Sequence, residues 1–180
     1  MHLIEIPTPI VRHVFCNYEH GDSKVRLDGG VTVPHAGLMN EREMAVEEGA
    51  LLRARLHIRG GKRRLRQGKI SAGIVTLADA VSAAMEWYLA SRERKEHLHI
   101  MDEDNLNDEG NVHAVLVRSG VVDETFDYDA FDGLVEKALG TEMDNYDPWG
   151  LMPALDSFMT QMGVLPFDEN TLPPEDPSTF

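Results

Sequence analysis

At 180 residues, 42% hydrophobic and 27% charged, the chain has the length and composition of one globular domain with a real core. A formal net charge of −14 excludes indiscriminate adhesion to nucleic acid or anionic membranes but leaves room for one local basic site. Cys16 is the only cysteine, which rules out an internal disulfide; with no secretory-type leader and no apolar run near the roughly 18 residues of a membrane span, the expected home is cytoplasmic, away from membranes.

Residues 1–40 read as extended. Val25, Leu27, Val31 and Val33 flank Asp28-Gly29-Gly30, a turn signal between two strand-like runs, and predict a small N-terminal β-hairpin. The pattern turns helical from Asn40, which stands at capping-box spacing from Glu43. Met44, Leu51, Ile58 and Leu65 recur every seven residues, with Ala54, Gly61 and Gly68 between them. Large residues alternating with small ones predict a long helix that a second one approaches closely. Gly60-Gly61 weakens it by about 1 kcal/mol per glycine and marks an expected kink. Gly68 is the expected stop. A second long helix is predicted from Ile70 to about Arg92, with Ile74, Leu77 and Val81 on its packed face, so that the two form an antiparallel hairpin. Three shorter helices follow. Asn107 or Asp108 caps one ending at Gly120, Asp127 caps one ending at Gly140, and Asp147-Pro148 starts one that runs to Gly163, with Pro153 a turn inside it.

The expected fold class is therefore mainly α: a helical bundle built on a long antiparallel helix pair, with the N-terminal β-hairpin beside it. The expected organisation is one domain over 1–165, comprising the extended or hairpin segment 1–40 and the bundle 41–165. An acidic, proline-rich tail over 166–180, extended or disordered, completes it.

Charge is sharply segregated. Eight of the 17 basic residues fall between Arg53 and Lys69, and no acid occurs from Arg53 to Ala78. Arg55, Arg59, Lys62, Arg63 and Arg66 fall at helical spacing and form a basic stripe. Guanidinium groups grip phosphates in a bidentate manner, so RNA is one possible partner. The acidic C-terminal half, of the same chain or of a second copy, is the other, and neutralisation there is favoured because it leaves neither charge exposed; acids around Asp123–Asp132 are the expected counterpart.

Three further constellations bear on chemistry. Arg92-x4-His97 and Arg94-x4-His99 place an imidazole near an arginine, a pair that can shuttle a proton and hold a phosphate, although bases also favour a helix C-terminus for the dipole alone. His13, Cys16, His20 and His35 are ligand types that zinc accepts, but their spacing is irregular and no metal is expected. The acidic run Asp102–Gly110 has a calcium-like composition but fails the EF-hand register, with Leu106 fifth when Asp102 is first, and reads as a solvated, helix-capping loop. Phosphate-cradling, dinucleotide, nucleophile-elbow and zinc-protease motifs are all missing, and no cofactor is expected.

Over the helix pair alone, about residues 48–92, the chain resembles the HEPN superfamily of helical bundles. The likeness lies in Ala54, Leu65-x2-Gly68-x4-Gly73, Leu77-x2-Ala80-x2-Ala83-Ala84 and Trp87-Tyr88-Leu89. It implies metal-independent RNA cleavage in a symmetric dimer, with Arg92 and His97 as the matching pair and Glu93 departing from the small polar residue or histidine usual after the arginine. A single tetratricopeptide-type hairpin accounts for Gly68, Leu77 and Ala80 nearly as well. Two functions follow. The first is a non-catalytic helical interaction module, homodimeric through Met44, Leu51, Ile58, Leu65, Ile74, Leu77 and Val81, with a further protein partner possible. The alternative is a ribonuclease in which Arg92 holds phosphate, His97 acts as acid or base, and the stripe guides RNA.

Overall fold

The computed structural model describes residues 38–40 and 43–175; the expected hairpin and His13, Cys16, His20 and His35 lie outside them. The described part is mainly helical and contains no strand: α1 (Val46–Arg66), α2 (Ile70–Ala90), α3 (Arg92–Glu96), α4 (Glu109–Arg118), α5 (Tyr128–Gly140) and α6 (Met152–Gln161). Short 3-10 turns at Pro148–Gly150 and Glu169–Thr171 flank α6. None of the described helices is long and apolar enough to cross a membrane.

The long antiparallel pair is present and central. α1 and α2 pack along their lengths, and α2 also touches α3, α4 and α5. They are joined at Gly68, whose φ of 75° is left-handed and strained for any residue with a side chain, while Lys69 N–H closes the turn on Arg64 O at 3.0 Å. The crossing is tight because two glycines face leucines across it. A Cβ on Gly61 would lie 2.7 Å from Leu77 Cγ, and one on Gly73 would lie 2.8 Å from Leu65 Cγ. Gly60-Gly61 does not break α1, which runs unbroken to Arg66; close packing against α2 outweighs the weak propensity of glycine.

Ile58, Leu65, Ile74, Leu77 and Val81, expected as a seam between two copies, are all 3% exposed or less within one chain. They belong to a core that extends through Val115 and Leu116 of α4, Phe131 of α5, and Leu155, Phe158 and Met159 of α6. Burial of each such side chain contributes about 1.5–3 kcal/mol.

Local signals fix most helix ends. Asp108 Oδ1 accepts from Asn111 N–H at 2.8 Å, and Asp127 Oδ1 from Ala130 N–H at 2.9 Å, as N-caps do. Three boundaries differ from expectation. α1 starts at Val46, and its cap residue Ala45 lends no side chain; the Asn40–Glu43 pair closes only a backbone turn, Glu43 N–H to Asn40 O at 3.0 Å. α2 ends at Ala90, because Ser91 is extended and caps α3 instead. The helix expected from Asp147 is split: Pro148–Gly150 forms a 3-10 turn and α6 begins at Met152, with Pro153 in its first turn, where its missing N–H costs nothing.

The segment after residue 165, expected as a tail, packs on the body as far as Glu175. Leu172 is 7% exposed, and the Glu175 side chain 12%.

Candidate functional site

The 3.6-residue repeat distributes the cations of α1 over two faces. Arg55, Arg59, Lys62 and Arg63 point toward the C-terminal part of the chain. Arg55 Nε donates to Val164 O at 3.4 Å, and its guanidinium lies 5.6 Å from the centre of the Phe167 ring. Arg59 donates to Pro173 O at 2.8 Å and lies 3.6 Å from Glu175 Oε1, and Arg63 donates to the same carboxylate. Lys62 Nζ is 2.8 Å from Asp156 Oδ1. Four of the five stripe residues are thus brought together beneath residues 164–175 and the edge of α6. Arg66, beyond the end of that cover, is exposed. The neutralising carboxylates are Asp156 and Glu175, where sequence reasoning had placed them around Asp123–Asp132.

Two further arginines of α1, with His57 between them, face α2. Arg53 pairs with Glu86, His57 Nδ1 lies 3.4 Å from Asp79 Oδ2, and Arg64 donates to Thr76 Oγ1 at 3.0 Å. The pairs step down the antiparallel hairpin as a polar row beside the glycine crossing. Burial first, and the charge of Arg63 second, push the Arg64 guanidinium below its ordinary pKa, while Glu175 and Asp79 act in the opposite sense. Burial likewise lowers that of Arg55. This row was missed because the eight cations read as one block. The signal was there: Arg53 and Arg64 stand three helical turns apart, and Asp79 and Glu86 two turns apart on the facing helix.

The Arg92/His97 pair is placed differently. Arg92 sits on α3 with its side chain 93% exposed and its Nε bonded to Glu96 at 2.7 Å, and His97 is exposed just past the helix. An open hollow of about 330 Å³ lies beside Arg92, lined by Leu89, Ala90, Arg92, Lys95 and Glu96. His97 is not among its lining residues. Arg94 is a structural anchor: its guanidinium lies 3.9 Å from the centre of the Trp87 ring, donates to Trp87 O at 2.7 Å, and pairs with Glu47 at 2.8 Å.

The acidic loop folds onto itself. Asp104 accepts from Met101 N–H at 2.6 Å and from Arg118, which also holds His99 O at 2.7 Å. The Met101 N–H, followed by Arg118, holds the Asp104 carboxyl below its usual range. Among the described residues, no three His, Cys, Asp or Glu side chains are grouped to hold a metal.

His113 was not foreseen. It stacks on Tyr128 at 5.5 Å and meets Phe126 and Phe158 at 5.9 and 6.0 Å, with Nε2 buried and lacking a hydrogen-bond partner. Burial lowers its pKa, against the opposing pull of Asp129 and Asp127. Tyr128 donates to Glu109 at 2.9 Å, and burial, then that carboxylate, raises its pKa.

No family model, curated protein or solved structure matches this chain.

Proposed function

We propose that the chain is a non-catalytic helical interaction module whose partner is a protein. One observation carries this reading: four of the five residues of the stripe that would guide RNA are held by their own chain, through Asp156, Glu175 and the carbonyls of Val164 and Pro173. A cation already paired and half-buried has little Coulombic attraction left for a phosphate. A second copy of the chain is one such partner, met outside the helix-pair seam, since that seam is consumed by the internal core.

The ribonuclease alternative keeps one supporting observation, the hollow bordered by Arg92 and Lys95. RNA binding and cleavage measured across a salt series, beside His97→Ala, separate the two. The interaction module cleaves nothing, and binding fails to strengthen as salt falls. Cleavage by the wild type that is lost in His97→Ala would establish the enzyme instead.

A further inference from the structure

Residues 164–175 treat α1 as a peptide treats a docking groove. The segment contains no helix apart from the 3-10 turn at Glu169–Thr171. Two of its main-chain carbonyls, those of Val164 and Pro173, accept from Arg55 and Arg59. Phe167 lies against the Arg55 guanidinium, and Leu172 is buried. Glu175 is shared by Arg59 and Arg63. Carbonyl readout, an aromatic ring over a guanidinium, a buried leucine nearby and a carboxylate fork together suit a peptide; a phosphodiester backbone offers neither the carbonyls nor the leucine. The hold is also lopsided. Leu172 stands outside the main core cluster, so polar and ionic contacts supply much of the grip on residues 168–175.

We propose that the α1 face formed by Arg55, Arg59 and Arg63 is a docking surface for an extended acidic peptide of a partner protein, one carrying a leucine three residues before a glutamate, and that this chain's own Leu172–Glu175 segment is its built-in competitor. The proposal rests on the interaction-module reading and names the chemistry of its partner. A tethered occupant acts at an effective concentration in the millimolar range, so a free peptide gains access only when it binds better than the strap or when the strap is loosened.

The test uses the full chain and, as probe, a synthetic peptide of residues 164–175. Binding is read by fluorescence anisotropy for wild type, Leu172→Ser and Glu175→Gln, with circular dichroism confirming the fold. Both variants are expected to bind the peptide at least about tenfold tighter than wild type, because the tethered competitor is weakened. A peptide carrying glutamine in place of the glutamate that corresponds to Glu175 should lose about tenfold or more, as should Arg59→Gln combined with Arg63→Gln in the loosened background. If Leu172→Ser fails to fold, Glu175→Gln alone gives the readout. Folded variants that bind the peptide no better than wild type overturn the proposal. So does a single-stranded oligonucleotide that binds them while the peptide does not, which would make the face a phosphate site. RNA cleavage by wild type would sink the interaction-module reading yet leave the peptide result as its own measurement, so the two failures are distinguishable.

Discussion

Replacing Gly61 with alanine tests the helix crossing on which the fold rests. The new methyl would lie 2.7 and 2.8 Å from Leu77 Cγ and Cδ2, and 3.3 Å from Gly73 O. Carbon atoms in ordinary contact sit about 3.5–4.0 Å apart, so roughly 1 Å of overlap must be relieved. Leu77 is 0% exposed and has no solvent into which to swing. The relief must therefore come from separating the helices, an overpacking penalty of about 1–3 kcal/mol. Alanine returns about 1 kcal/mol of helix propensity. The net expectation for Gly61→Ala is a loss of about 0–2 kcal/mol, or a fall in Tm of up to about 8 °C at this chain length. Gly133→Ala is the internal standard. Gly133 is exposed within α5 and a Cβ there meets nothing within 4 Å, so the propensity gain of about 0.5–1 kcal/mol should appear undiluted. Urea unfolding at constant m reports both values. Adding Leu77→Ala to Gly61→Ala should show coupling of about 1 kcal/mol or more, because the clash disappears with the leucine. A Gly61→Ala protein as stable as the Gly133→Ala protein would refute the close crossing.

Three other outcomes follow from the same fold. Asp108→Ala and Asp127→Ala each remove an N-cap and should cost about 1 kcal/mol apiece by urea unfolding, adding together because the caps serve different helices. His113 has a folded-state pKa depressed by burial, so its unfolded form takes up the proton first; stability is full above the ordinary value of 6.5 and declines as pH falls below it, and His113→Phe should flatten that stretch of a Tm-against-pH curve. Asp104, Asp108 and Asp123 act lower, since their depressed pKa values withdraw stability only below 3.8, which leaves the His113 window clear. Arg94→Lys keeps the charge but loses the planar fork over Trp87, and should cost about 1–2 kcal/mol with a red shift in tryptophan fluorescence; an unchanged spectrum would mean the ring is not covered.

Legibility in the sequence followed the range of the interaction. The caps at Asp108 and Asp127 and the stop at Gly68 are set by neighbours within one turn, and they stand where reasoning from the chain put them. The helix pair was legible because Ile58, Leu65, Ile74 and Leu77 repeat at helical spacing, and glycines fall where leucines must pass. Boundaries failed where two local preferences competed: Ser91 has a strand-like backbone and a capping side chain, and both override continuation of α2. The cationic site was half legible. The charge imbalance said that carboxylates of the chain should meet α1, yet Arg59 and Arg63 are 116 and 112 residues from Glu175, and nothing local records that distance. Proline and acid in residues 166–175 read as a loose tail, although Phe167 and Leu172 are the two apolar side chains such a tail would not need. Arg92 and His97 were paired by spacing alone; Arg92 lines the hollow beside α3, and His97 is not among its lining residues.

The strap also sets an order of events during synthesis. α1 leaves the ribosome with its arginines uncovered, and Glu175 is made more than a hundred residues later. Until then the nascent hairpin is a polycation beside ribosomal RNA. A molecule cut between Leu165 and Leu172 would lose the Pro173 and Glu175 contacts to Arg59 and Arg63 while keeping the Lys62–Asp156 pair, so a nick there would give an acidic protein a more basic flank.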